Sequence, residues 1–421
     1  MRWTSKLAAA AFAILLPLSA AARTPAPAPV AAKARAPVTI LISIDGFRSD
    51  YLERGVTPNL SKLAAEGVTA PMHPSFPSKT FPNHWTLVTG LRPDRHGITA
   101  NKMKDAGQPD VTFTMSNDDP FWWNAADPIW VDAENAHIRT STSFWPGSNV
   151  AIGGHKEKPG DWEAIGGTRP SDWAQFNQSI TGEQRVNGVL DWLRRPAAIR
   201  PRFVTLYFNT VDDAGHDFGP DDARTTEAVA KVDAQIGMLV QGLRQLGQRA
   251  NLVIVADHGM AATSSERVIA LDQMLALDTV DVLETGPYLS LTPVAGQEAL
   301  VEKALLGKHP HAECWRKGEI PARFHYGTNP RIPPIFCLAE TGWLFNKSVP
   351  TKSFSAGNHG WDNMAPEMTA LFIASGPAFR AAKLPAFDNV DVYPLLRDLI
   401  GLPAKPGVDG TDAVFAKTMR R

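Results

Sequence analysis

Four apolar stretches rich in β-branched residues, "VTILISIDGFR", "RFVTLYFNTVDDAGH", "NLVIVADHGM" and "MTALFIASGP", constrain the fold of this 421-residue chain more than any other feature. None alternates apolar with polar residues, so each reads as a strand buried on both faces of a parallel sheet. Helical patterns fall between them, in "TPNLSKLAAEG", "GEQRVNGVLDWLRR" and "RTTEAVAKVDAQIGMLVQGLRQLG". Strand and helix alternating over most of a long chain predict an α/β protein with a doubly wound, mainly parallel sheet. With 44% hydrophobic residues the chain is able to bury a large core.

Ligands of such sheets bind beyond the carboxyl ends of the strands. The residues able to do chemistry end or follow expected strands: Asp45, then Asp212 and His216, then Asp257 and His258, then His359 in "GNHGWDN". Taken singly, an Asp at a strand end is more often a helix cap, and a His in a glycine-rich loop more often a hydrogen-bonding turn residue. Taken together, strand ends that all carry metal-capable residues favour a metal centre. Three Asp and three His without a thiolate suit two zinc ions, although other divalent metals accept the same ligands. The spacing of Asp212 and His216 reads as a loop or short turn, with Gly215 letting both side chains reach one ion. Successive side chains at Asp257 and His258 normally diverge, so their sharing an ion requires irregular backbone past the strand.

Thr80, ahead of "FPNHWTLVTG", has two readings. Its hydroxyl caps the following helix, with Pro82 at an early helical position. Alternatively it faces orphan N–H groups that stabilise an anion and, once coordinated by a metal, acts as a nucleophile. The residues alone leave both open.

The first 22 residues combine basic Arg2 and Lys6, an apolar run from Leu7 and small residues near Ala20, the pattern of a secretory signal peptide. The run is short of the ~20 residues of a spanning helix and is interrupted by Pro17, so no stable membrane anchor is expected. Residues 23–37 form a Pro/Ala-rich tether, and the catalytic domain is expected over 38–421 in an exported, periplasmic or secreted protein. In that compartment Cys314 and Cys337 are able to form a disulfide. Basic and acidic residues number 42 and 43, so nothing in the net charge of -1 suggests a nucleic-acid polymer, and an anionic substrate must be captured locally. Two long irregular regions, about 101–182 and 280–354, read as substrate-side insertions. Trp122, Trp123, Trp130 and Trp145 in the first are candidates for a substrate wall or for core.

In order along the chain, "LISIDGFRSDYL", "TPNLSKLAAEGV", "PSFPSKTFPNHWTLVTGLRPDRHGITANKM", "FWPGS", "VDDAGHDFGP", "VADHGM" and "GNHGWDN" closely resemble the nucleotide pyrophosphatase/phosphodiesterase family of the alkaline phosphatase superfamily. The resemblance runs from about Ile40 to about Ile400. It implies two zinc ions, one held by Asp45, Thr80, Asp257 and His258, the other by Asp212, His216 and His359. It also implies Thr80 as nucleophile, Asn101 as donor to a phosphate oxygen, and Phe81 as a face on which a nucleotide base stacks. Where the family usually has a tyrosine opposite, "FNQS" supplies Phe176, which keeps the stacking face and lacks the hydroxyl. The implied reaction cleaves nucleotide diesters and pyrophosphates through a threonyl-phosphate. Phosphomonoesters or lipid head-group diesters are alternative substrates for the same metal set, and an exported phosphate-binding protein is the non-enzymatic alternative.

Overall fold

A computed structural model of the chain describes Met1 and residues 35–352 and 356–420. The expected signal peptide and residues 23–34 of the tether lie outside the described residues. Among the described residues the first strand starts at Val38. Among the described residues no helix is long and apolar enough to cross a membrane.

A nine-stranded sheet organises the molecule. Numbered along the chain, its strands are β1 (Val38–Ile44), β2 (Val68–His73), β3 (Thr140–Ser143), β4 (Asp172–Ala174), β5 (Phe203–Phe208), β6 (Ala250–Val255), β7 (Ala370–Ser375), β8 (Ala382–Lys383) and β9 (Phe387–Asp388). They lie in the order β8-β2-β7-β6-β1-β5-β3-β4, with β9 also beside β2. All seven residues of β1 and all six of β5 are buried, as the unbroken apolar runs predict for strands covered on both sides. The covering helices are α1 (Pro58–Glu66), α2 (Thr80–Thr89), α3 (Gly182–Arg194), α4 (Thr210–Phe218), α5 (Ala223–Gln245) and α6 (Val392–Ile400). Helices α1, α3 and α4 pack against α5, whereas α2 packs against α6. Local chemistry sets their ends. Helix α3 opens with a reciprocal capping box between Thr181 and Gln184, and α2 stops at Gly90, whose φ of 69° suits a residue without Cβ.

Three of the four apolar runs, β1, β5 and β6, pair in parallel. The fourth differs from the expectation: β7 runs antiparallel to both β2 and β6. Burial on both faces produces the same apolar run in either direction, so the pattern carries no information on orientation. The reversal matters for the site. Phe372 of β7 pairs with Val255 at the carboxyl end of β6, so the chain entering β7 arrives at the rim where the parallel strands end.

The two insertions diverge in structure. The first supplies β3, β4 and short helices, and it buries Trp122 and Trp130 completely in the main core. The second contains a separate antiparallel sheet of five strands in the order Val280–Glu284, Tyr288–Pro293, Ile335–Ala339, Ala312–Arg316, Gly307–His309. Cys314 and Cys337 face each other in that register and form a disulfide. The bond closes a 23-residue separation. Replacing both cysteines by serine is expected to cost about 3 kcal/mol in chemical denaturation. Any activity of the remaining folded protein should be unchanged, since no residue of this sheet lines the cavity described below.

Candidate active site

Strand ends bring the acidic residues together. The Asp45 N–H extends the β1 ladder by donating to the Phe208 carbonyl at 2.9 Å, so the chain leaves β1 level with the end of β5. Gly46 then turns with φ 68°, and a Cβ there would lie 2.9 Å from Asp212 Cα. Only glycine lets this turn meet the start of α4. Asp212 and His216 are not in a loop, as expected, but one turn apart on α4, which places both on one face. Gly215 serves close packing instead, since a Cβ there would meet Met260 Cε at 2.8 Å. Asp257 and His258 lie beyond the end of β6, where the backbone is irregular, and their side chains converge with 2.9 Å between Asp257 Oδ2 and His258 Nε2. His359 follows a two-residue strand, Gly357–Asn358, on the approach to β7.

The three imidazoles share one orientation. Each Nδ1 faces a backbone carbonyl: Gly357 for His216 at 2.9 Å, Gly259 for His258 at 2.9 Å, and Ser78 for His359 at 2.8 Å. A carbonyl only accepts, so Nδ1 carries the proton and each Nε2 presents a lone pair to the carboxylates. His258 Nε2 lies 3.5 Å from Asp45 Oδ1 and 3.3 Å from Thr80 Oγ1. His216 Nε2 and His359 Nε2 lie 3.5 and 3.7 Å from Asp212. Asp45 Oδ1, Asp212 Oδ1 and Asp257 Oδ2 are buried without a hydrogen-bond donor. Acceptors that crowd together around buried carboxylates require a proton or a cation between them. Among the described residues two sets have ligand atoms close enough to share an ion: Asp45, Asp257 and His258, and Asp212, His258 and His359.

The electrostatics agree with this. Burial, then the neighbouring carboxylates of Asp257 and Asp212, holds the Asp45 carboxyl well above its usual range. Burial and Asp212 do the same to Asp257. His359 is held well below the usual imidazole value, first by burial and then by the nearby His258 and Lys79. His84, a fully buried histidine outside the ligand set, is pushed down to about 3 by burial and stays neutral between Ser43 Oγ and the Thr80 carbonyl, each 2.8 Å away. It braces the first turn of α2 against β1. Lys79 is also buried, and its ammonium lies 5.7 Å from the Tyr288 ring, where the second insertion approaches the site from behind.

Thr80 is the first residue of α2, and its hydroxyl caps nothing. Asn101 does that work: its Oδ1 accepts the Phe81 N–H at 2.9 Å. Pro82 has no N–H and Asn83 N–H bonds the Lys79 carbonyl at 3.2 Å, so the helix end is not the open cluster of donors that the sequence suggested. With its oxygen engaged, the Asn101 amide nitrogen is left as the group able to donate.

Thr80, Asp45, Asp212, His216 and His359 line a cavity of about 450 Å³ together with Phe81, Asn101 and Phe176. Phe81 packs against Phe113 and Trp123, whereas Phe176 lies across edge contacts with Phe144 and Tyr207. Trp123 and Trp145 contribute to the wall, but Trp122 and Trp130 are core. Tyr207 is a member of the site that sequence reasoning missed. It lies inside the apolar run of β5, and its hydroxyl donates to Asp45 Oδ2 at 2.6 Å. Only the paired strand shows this: Tyr207 sits opposite Ser43, two residues before Asp45.

Residues 39–362 match the model of the type I phosphodiesterase / nucleotide pyrophosphatase family. The chain belongs to that family. An uncharacterized pyrophosphatase/phosphodiesterase of Schizosaccharomyces pombe is 39% identical over 87% of this chain and 77% of its own length. A bis(5'-adenosyl)-triphosphatase of Xenopus laevis is 37% identical over 88% of this chain and 79% of its own. Murine ectonucleotide pyrophosphatase/phosphodiesterase 5 superimposes with a TM-score of 0.84 at 34% identity, covering 91% of this chain and all of that one. An inactive threonine-to-alanine form of the murine protein, in complex with AMP, superimposes equally well at 33% identity. The fold is therefore that of the alkaline phosphatase superfamily, and the family is one of phosphodiesterases and pyrophosphatases.

Proposed function

We propose that this chain is an exported two-zinc phosphodiesterase and nucleotide pyrophosphatase that releases nucleoside 5'-monophosphates through a threonyl-phosphate. One observation carries the reading. The lone pair of His258 Nε2 lies 2.9 Å from a carboxylate oxygen of Asp257 and 3.3 Å from the Thr80 hydroxyl, so a cation-seeking site adjoins a nucleophile. Asp45, Thr80, Asp257 and His258 would hold one ion, and Asp212, His216 and His359 the other. His258 is within reach of both sets but goes with Asp257, its nearest carboxylate. When bound, the ions neutralise phosphoryl oxygens and lower the pKa of a coordinated hydroxyl or water.

The remaining steps belong to the protein's own residues. Thr80 Oγ1 gives up its proton and forms a bond to phosphorus as the bond to the leaving oxygen breaks in line, and the proton leaves with the departing group or to solvent. Water then cleaves the threonyl-phosphate and regenerates the hydroxyl. Asn101, its Oδ1 held by the Phe81 N–H, donates through its amide to an equatorial oxygen as charge builds there. Phe81 and Phe176 stack on the base of the retained nucleotide. Tyr207 orients the Asp45 carboxylate. The murine relative bound to AMP and the Xenopus bis(5'-adenosyl)-triphosphatase support a nucleotide substrate. Export rests on the N-terminal pattern and agrees with the disulfide.

Hydrolysis of p-nitrophenyl thymidine 5'-monophosphate, p-nitrophenyl phosphate and p-nitrophenylphosphorylcholine tests the reading. The nucleotide diester should be preferred about tenfold or more, the value of stacking one base. Faster turnover of the monoester or of the choline diester would replace the reading by one of its alternatives.

A further inference from the structure

Arg185 lies on α3, away from the candidate ligands, and only 5% of it is exposed. Its guanidinium donates to the carbonyls of Ile180 at 3.1 Å and Tyr207 at 3.0 Å, and to Asn209 Oδ1 at 2.9 Å. The charged carbon also lies 4.7 Å from the centre of the Phe144 ring and 5.5 Å from that of Phe176. No carboxylate pairs with it among the described residues. A guanidinium buried on carbonyls, an amide and two aromatic faces is costly to desolvate, and its planar fork reaches the end of β5, the start of α4 and the loop bearing Phe176 at once.

We propose that Arg185 is a positioning residue that sets the base-side wall of the cavity against the metal-ligand end of the site. One side of its fork reaches Tyr207, whose hydroxyl holds Asp45, and Asn209, which precedes the helix bearing Asp212 and His216. The other side supports Phe176, which is 43% exposed and reaches the cavity from a loop beyond the edge strand β4. So exposed a ring has little packing of its own to hold it. The cation beneath and the edges of Phe144 and Tyr207 supply what there is, so Arg185 sets where a base can stack.

This inference rests on the nucleotide reading above, and its test separates the two. The probes are p-nitrophenyl thymidine 5'-monophosphate and methyl p-nitrophenyl phosphate, diesters with the same leaving group but only one with a base. Arg185→Lys keeps the charge and loses the fork. It should lower kcat/KM for the nucleotide diester by about tenfold, mainly through KM. The loss on the methyl diester, which reads only the Tyr207 and Asn209 side of the fork, should be clearly smaller, and the bound zinc should be retained. Phe176→Ala, a change on an exposed ring, should give the same selective loss, and adding Arg185→Lys to it should cost the nucleotide no more than it costs the methyl diester. Equal losses on both diesters, nucleotide losses that multiply in full in the double variant, or no selective loss in Phe176→Ala overturn the inference. A wild-type enzyme that does not distinguish the two diesters overturns the nucleotide reading instead.

Discussion

Thr80→Ala should abolish turnover while leaving the site assembled. Loss of a covalent nucleophile typically lowers kcat by about 10⁴-fold or more. Because the Thr80 hydroxyl caps no helix N–H, and Asn101 holds the Phe81 N–H in its place, α2 should keep its stability in the variant. The melting temperature should therefore stay near wild type, much of the zinc should remain because Asp45, Asp257 and His258 still face one another, and AMP should still bind. Thr80→Ser restores a hydroxyl at the same place and should recover part of the rate. A variant that unfolds or loses metal in proportion to activity would return Thr80 to a structural role, as would one that retains more than about a hundredth of wild-type turnover, far above the residue expected after loss of a nucleophile.

Removing Asp257 should have the next largest effect. Asp257→Ala leaves His258 and Asp45 facing an incomplete site, and several kcal/mol of transition-state stabilisation by a metal corresponds to roughly a thousandfold in kcat/KM. Bound zinc should fall by one ion per chain. The same carboxylates predict how metal affects stability with pH. Asp45 and Asp257 are raised well above the ordinary carboxylate range, first by burial and then by neighbouring carboxylates, Asp257 and Asp212 for Asp45 and Asp212 for Asp257. In the metal-free protein their contribution to stability is fully present below the unfolded value of about 3.9 and is lost as pH rises through the folded value. A bound cation takes the place of those protons, so its stabilisation should grow with pH. The gap in melting temperature between zinc-loaded and chelated protein should widen from pH 5 to pH 8. A gap that stays constant would mean that the two carboxylates do not ionise on metal binding.

Much of the candidate site was legible in the sequence because its residues fall at points where the hydrophobic pattern stops. Asp45, Asp212 and Asp257 each stand within a few residues of the end of a buried run, and an ionisable residue there has little structural purpose in a sheet core. Phe81 and Phe176 emerged only through resemblance, since an aromatic beside a helix start and another in a polar loop carry no periodic signal. Tyr207 and Arg185 were not found at all. One reads as an ordinary apolar strand residue and the other as an ordinary basic residue in an amphipathic helix, and each gains its role from an atom far away in the chain, Asp45 Oδ2 for the first and the Phe176 ring for the second.

Composition and periodicity by themselves determined the class of fold, the buried strands and the rim on which the acidic and imidazole groups gather, because burial and backbone hydrogen bonding are local demands that the pattern of side chains must meet. Three matters were decided only by the tertiary structure. The direction of β7 brings His359 to the rim, yet a strand buried on both faces has the same sequence pattern whichever way it runs. The start of the helix through Asp212 and His216 depends on Gly46 admitting the Asp212 backbone, which lies far away in the chain. The orientation of all three imidazoles depends on backbone carbonyls of Gly357, Gly259 and Ser78, and a carbonyl is present at every residue, so no sequence can mark which ones will be in reach.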